Sequence, residues 1–287
     1  MTEKYILTLS CPDRVGLVHE VSGLLLAHRC NIEEAQQFND PATGRFFMRV
    51  QFACDAAQEK IADETLNEAI DHLAQRLSCD HIECRPVNRP LRAVIFVSRQ
   101  GHCLNDLLFR HRSGLLNLDI RAVIGNHRDF YQLVAGYNIP FHYLPITGET
   151  RAEVEEKQLE IIRGEQAELI ILARYMQILS ENLCTQLAGR AINIHHSFLP
   201  SFKGARPYYQ AHERGVKLIG ATAHFVTAQL DEGPIIEQDV ARVDHACTPE
   251  DLTAVGRDTE SQVLARAVKW VSERRVLLNG HKTVVFQ

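Results

Sequence analysis

The 287-residue sequence contains no long apolar run, no surplus of positive charge and no paired metal-ligand motif. Each absence narrows the function. No apolar stretch approaches the ~20 residues that cross a bilayer, so a membrane partner is not expected. Lysine and arginine number 31 against 36 acidic residues, a formal net charge of -5. Nucleic-acid binding wants a basic face, so a nucleic-acid partner is not expected either. The eight cysteines are scattered, and the closest pair, Cys79 and Cys84, is too wide for C-x-x-C. The 14 histidines contain no H-E-x-x-H spacing, and no metal site is expected. Met1-Thr2-Glu3-Lys4 runs straight into a strand pattern, without the basic start and apolar run of a secretion signal. The expectation is a cytoplasmic protein with reduced thiols.

What is present divides into two blocks. Tyr5 to Leu9 alternates like a strand, and Cys11-Pro12-Asp13-Arg14-Val15-Gly16 makes a turn. Leu17, Val21, Leu24 and Leu25 then repeat at helical spacing. An extended run opens at Asn31-Ile32, Phe46 to Phe52 is a second strand, Asp63 to Leu77 an amphipathic helix, and Ile82-Glu83-Cys84 a closing strand. The order β-α-β-β-α-β is ferredoxin-like. This block resembles the ACT domain, a small-ligand regulatory module, through Asp13-Arg14-Val15-Gly16-Leu17-Val18 and Asn31-Ile32. The resemblance implies an amino-acid effector such as methionine or glycine, contacts from Asp13, Gly16 and Asn31, and a homo-oligomer, dimer or tetramer. The alternative is that Asp13 caps the helix and Gly16 only permits packing.

Val87-Asn88-Arg89-Pro90 reads as a linker. The expected division is residues 1–86, a linker at 87–90, and a second domain at 91–287. Apolar strands at Leu91–Ser98, Asp119–Gly125, Leu169–Ala173 and Ala191–His195 alternate with helices, one of them around Glu153 to Ile162. That order predicts an α/β, doubly wound and mostly parallel sheet, with the site at the carboxyl ends of its strands. Arg275 to Phe286 reads as a hairpin turning at Asn279-Gly280.

The densest chemistry lies in Asn193-Ile194-His195-His196-Ser197-Phe198-Leu199-Pro200. Asn193 and His195 share a strand face, because side chains alternate. An amide can donate to a developing oxyanion, and an imidazole can move a proton near neutral pH. Asp231, before Gly233-Pro234, could orient His195 or hold a water, or serve simply as a turn residue.

Asn193-x-His195 with Ser197 and Leu199-Pro200, followed by Asp231 with Gly233-Pro234, resembles the folate-dependent formyltransferase superfamily. The resemblance implies that Asn193 and His195 polarise a formyl carbonyl, and that Asp231 positions water and supports His195. It places the folate against Arg174, Tyr175, Met176, Ile178 and Leu179, faced by Val226 and Leu230. Met176, Ile178 and Leu179 could equally be core. Gln177 stands where an arginine is common, so Lys203 and Arg206, with Gly204 between them, are the candidates for the anionic tail. Three features resemble the formyltetrahydrofolate deformylase branch: the ACT-like block, His196 with Gly204 to Gln210, and the bulky loop Ser98-Arg99-Gln100-Gly101-His102-Cys103-Leu104. The transferase branch has a glycine-rich phosphate loop at that last position. The branch implies release of formate from 10-formyltetrahydrofolate for one-carbon balance and purine synthesis, with no cofactor beyond the folate substrate. A transferase acting on an amine and a non-catalytic amino-acid sensor are the competing functions. Gly256-Arg257-Asp258 also looks like that branch, and the sequence supplies no physical role for it.

Overall fold

The alternation near the start of the chain becomes β1 (Glu3–Pro12), and the helical repeat becomes α1 (Leu17–Ala27). The computed structural model describes residues 3–54, 59–199 and 207–287. β2 (Cys30–Asp40), β3 (Arg45–Cys54), α2 (Glu59–Leu77) and β4 (His81–Pro86) complete the first unit's expected order. Its sheet runs β2-β3-β1-β4, with every neighbouring pair antiparallel. Leu7 and Leu9 of β1 and Val50 and Phe52 of β3 face Leu17, Val21 and Leu25 of α1 and Ile70 and Leu73 of α2 in one core. The opposite face carries Phe47 and Arg49, and here two expectations change.

The first concerns the domain boundary. Glu273–Asn279 and Thr283–Gln287 belong to the first unit, and the second unit's main span is Pro90–Ser272. The C-terminal hairpin, β12 (Val276–Asn279) and β13 (Lys282–Val285), therefore does not simply extend the second domain. Phe47 packs with Leu277 and Phe286, and the buried Arg49 donates twice to the Glu273 carbonyl. A sheet whose second face carries Phe47 needs a cover, and the chain's own end supplies it. The second correction concerns the thiols. Cys30 and Cys54 stand opposite each other in the β2–β3 ladder and are disulfide-bonded. Their cross-strand register, which the spacing does not disclose, brings the pair together.

The second unit is built on β5 (Leu91–Val97), α3 (His102–Arg112), β6 (Leu118–Gly125), α4 (Tyr131–Ala135), β7 (Phe141–Tyr143), α5 (Arg151–Gly164) and β8 (Leu169–Leu172). It continues through α6 (Glu181–Gln186), β9 (Ala191–His195), α7 (Pro207–Glu213), β10 (Leu218–Phe225), β11 (Ile235–Arg242) and α8 (Pro249–Ser272). The sheet order is β11-β10-β9-β8-β5-β6-β7. From β9 to β7 it is parallel, and β10 and β11 add an antiparallel edge. Val94, Phe96, Ile170 and Leu172 are buried against α5 and α6, while α8 packs on β9, β10 and β11 and against α3. Strand β5 leads to β6 on one side and is paired with β8 on the other, so the order reverses there. A crevice opens at the carboxyl ends beside such a switch point. No described helix is long and apolar enough to cross a membrane.

Candidate active site

A cavity of about 290 Å³ lies at the ends of β8, β9 and β10. Leu172 and Arg174–Leu179, Asn193–His196 and His224 with Val226–Asp231 line it. The structure thus brings together Asn193, His195 and Asp231. The His195 Nδ1 lies 3.3 Å from Asp231 Oδ2, and the ring is almost wholly buried. The His195 Nε2 is buried and has no hydrogen-bond partner among the described residues. A buried nitrogen left unpaired is costly, and here it lies where a substrate can satisfy it.

Asp231 takes its place through local backbone geometry. It adopts φ 57, a left-handed conformation that aspartate tolerates better than most residues. At Gly233 a Cβ would sit 1.7 Å from the Phe225 carbonyl oxygen, so only glycine lets the turn lie this close to β10. Burial raises the Asp231 pKa, but the neighbouring His195 and His224 imidazoles outweigh it and hold the carboxyl well below its ordinary range. Asp231 is therefore a fixed negative charge between two imidazoles.

His224 is the member that sequence reasoning missed. It stands opposite Asn193 in the β9–β10 ladder. Its Nδ1 lies 2.9 Å from the Phe225 carbonyl oxygen, which orients the ring. The His224 Nε2 then sits 3.3 Å from Asn193 Nδ2 and 3.7 Å from Asp231 Oδ1. With a proton on Nδ1, Nε2 accepts from the Asn193 amide and fixes which way that amide points. The signal was present in Thr222 and His224 alternating with Ala221 and Ala223. Thr222 is useful as well: its hydroxyl accepts from Leu199 N–H and donates to the Ser197 carbonyl, stapling the turn after His195.

The expected folate-binding residues divide by surroundings. Met176, Ile178 and Leu230 are exposed at the cavity, free to cover an apolar ring. Val226 is a buried wall, and Leu179 packs into the core behind it. Tyr175 is also core: its hydroxyl accepts from Gln158 at 2.8 Å, and its ring meets Phe96 edge-on. Arg174 lines the cavity, but its Nε lies 2.9 Å from Gln100 Oε1 and 3.3 Å from Glu260 Oε2. Its charge is therefore committed inside the protein, not free for a substrate carboxylate. Lys203, Gly204 and Arg206 lie outside the described residues.

The bulky loop after β5 supports this wall. Ser98 Oγ accepts from Met176 N–H, and Gln100 accepts from Arg174. Among the described residues, His102, Cys103 and Glu260 bring three potential metal-ligand atoms within 4.8 Å of one another. Glu260, however, already binds Tyr208, His102 and Arg174, and a guanidinium beside the carboxylate opposes a cation there.

The expected effector residues do not converge within one chain. Asp13 follows Pro12, which stands opposite Arg45, whereas Asn31 stands opposite Ala53. Eight positions along β3 place them roughly 25 Å apart. Asp13 accepts from Asn39 at 2.5 Å, and Gly16 is the N-terminal boundary of α1 at φ 94.

Comparison with known proteins gives the same two-part order. The ACT domain family matches residues 5–71, and the formyl transferase family matches residues 91–268. A formyltetrahydrofolate deformylase of Corynebacterium sp. (strain P-1) is 48% identical over 284 residues, 99% of this chain and 98% of that protein. One from Bacillus subtilis is 47% identical over 99% of this chain and 94% of its own length. A crystal structure of formyltetrahydrofolate deformylase from Burkholderia mallei superposes with a TM-score of 0.94 at 52% identity, covering 99% of this chain and 100% of that one. Glycinamide ribonucleotide transformylase 1 from Symbiobacterium toebii reaches a TM-score of 0.65 at 28% identity over 70% of this chain and 97% of its own. With both regions matched in order and the full length shared, the chain belongs to the formyltetrahydrofolate deformylase family.

Proposed function

We propose that the chain hydrolyses 10-formyltetrahydrofolate to formate and tetrahydrofolate. The observation that carries this reading is the unpartnered His195 Nε2, held by Asp231 beside Asn193 in a largely apolar-walled cavity. A formamide is a weak electrophile, so attack requires its oxygen to be stabilised as it becomes negative. Asn193 Nδ2 donates to that oxygen, and His195 becomes a second donor once its Nε2 has taken the proton of the attacking water. Water held by Asp231 adds to the formyl carbon, and the bond from that carbon to the folate nitrogen breaks. One proton of the water passes by way of His195 to the leaving nitrogen, and the carbon departs as formic acid, which loses its proton to solvent as formate. Met176, Ile178 and Leu230 cover the pterin. Lys203 and Arg206, with Gly204 between them, remain the candidates for its anionic tail.

The proposal requires no cofactor beyond the folate substrate and no metal, because an amide and an imidazole perform the polarisation. It places the protein in the cytoplasm, balancing one-carbon folates and supplying formate for purine synthesis. The ACT-like unit binds methionine or glycine. Because Asp13 and Gly16 lie at the opposite end of the sheet from Asn31, a single small effector touches all three only between two protomers, which favours a homo-oligomer, dimer or tetramer.

The decisive measurement is product analysis without an acceptor. Equal amounts of formate and tetrahydrofolate, unaffected by a chelator, are expected. Release that appears only with glycinamide ribonucleotide or another amine would identify a transferase. Chelator inhibition reversed by zinc would reject the metal-free chemistry, and calorimetry with methionine and glycine tests the effector.

A further inference from the structure

One buried carboxylate of α8 ties that helix to α7, to α3 and to the residue that follows β8. Glu260 of α8 is 1% exposed and is not part of the cavity lining. The Tyr208 hydroxyl of α7 donates to Glu260 Oε1 at 2.5 Å. The Glu260 Oε2 lies 2.7 Å from His102 Nε2, at the start of α3, and 3.3 Å from Arg174 Nε, just after β8. Withdrawing a carboxylate from water costs several kcal/mol, and a well-packed apolar substitute is often as stable. Stability alone therefore gives no reason for this arrangement.

Its position supplies one. The His196 ring centroid is 4.6 Å from that of His195 and 6.5 Å from that of Tyr208. His196 thus lies between the reacting histidine and the tyrosine that Glu260 holds. Helix α8 shapes this contact twice within one turn. At Gly256 a Cβ would sit 2.2 Å from the Tyr208 ring, so glycine leaves the space that the ring fills, and Glu260 then fixes its hydroxyl. This gives Gly256 a physical role that the sequence withheld. Arg174 ties the same cluster to the cavity wall. Its carbonyl accepts from Ser98 N–H, while its guanidinium is shared by Gln100 and Glu260.

We propose that Glu260 is a positioning residue for formyl hydrolysis: by holding Tyr208 and Arg174 it seats His196 against His195, so that His195 keeps Nδ1 on Asp231 and Nε2 toward the cavity. Burial, aided by the charges of Arg174 and His195, holds the His196 pKa down at about 4, so the ring packs there in its neutral form. The inference rests on the hydrolase reading above.

Two conservative variants of the full chain test it. Glu260→Gln keeps an acceptor for Tyr208 and removes the charge, and Tyr208→Phe keeps the ring and removes the hydroxyl. Small misplacements of a reacting group can lower turnover by up to ~100-fold, so a kcat loss of about thirtyfold is expected for Glu260→Gln and about fivefold for Tyr208→Phe. KM for 10-formyltetrahydrofolate should stay within about twofold, because neither substituted side chain lines the cavity. The double variant should be no slower than Glu260→Gln alone, since both changes break one link. Turnover within about twofold of wild type in folded variants, or equal losses in binding and turnover, would overturn the proposal. If Glu260→Gln does not fold, Tyr208→Phe decides by the same criterion. Wild-type protein that releases no formate would overturn the hydrolase reading itself, a result distinct from fast variants of an active enzyme.

Discussion

Two aspartates at turns, Asp231 and Asp13, mark the two regions that the sequence singles out, and their surroundings differ sharply. Asp231 sits in a narrow cavity between two imidazoles, with a turn that only Gly233 allows and a carboxyl held far toward its charged form. Asp13 is exposed, accepts from Asn39, and precedes Val15, whose surface is 99% open. The first environment lies within one chain and is buried enough for a hydrogen bond to steer charge. The second is an open surface turn with one hydrogen-bond donor on its carboxylate. A carboxylate at a turn is thus no evidence of chemistry until its neighbours are known.

The strongest test of this contrast is His195→Ala. It should lower kcat by ~100-fold or more, as expected for loss of a group that moves a proton, with KM little changed. Steady-state kinetics on formate release would show it. Near-normal turnover would put the cavity in the same category as the open turn.

A smaller effect separates the buried side of the site by pH. Folded His196 resists protonation until about pH 4, whereas the unfolded ring accepts a proton near 6.5. The unfolded chain therefore binds more protons between those values, and stability falls as the pH drops from 6.5 to 4. Asp231 acts in a different window: its stabilisation is intact above the ordinary carboxyl range, near 3.8, and is lost only below it. His196→Gln should flatten the wild-type decline by about 2 kcal/mol across the His196 window. Urea unfolding at several pH values checks this, and parallel curves for the two proteins would contradict it. Next in size is His224→Gln, for which about a tenfold loss of kcat is expected because the Asn193 amide loses its orienting partner. Unchanged kcat would leave His224 as mere packing.

Much of this was legible in the primary structure. The order of strands and helices, the parallel sheet, and the shared face of Asn193 and His195 follow from periodicity and alternation. Asp231 could be brought to His195 only by recognising its motif, because a separation of 36 residues carries no distance. His224 escaped because a histidine within an apolar strand reads as core until its partner strand is known. The Cys30–Cys54 bond and the destination of the C-terminal hairpin escaped for the same reason: both depend on register and on which sheet face needs cover. Arg174 shows the converse. Its position beside the cavity was readable, but the direction of its guanidinium was set by Glu260, 86 residues later.

The smallest expected effects lie at the open turn, and they distinguish an unoccupied surface from one already covered. Gly16 has φ 94, and a Cβ added there meets nothing within 4 Å. Gly16→Ala therefore carries only the backbone cost of a left-handed residue, about 1 kcal/mol. Asp13→Ala removes a solvated hydrogen bond to Asn39 and should change stability by no more than about 0.5 kcal/mol. Both are measured by denaturant unfolding of the free protein, repeated over a range of protein concentration. If the turn is bare, the two losses are small and independent of concentration. A loss of several kcal/mol at Asp13, growing as the protein is concentrated, would show that another protomer already covers this carboxylate. The contrast with Asp231 would then concern which molecule completes the environment, and no longer whether it is complete.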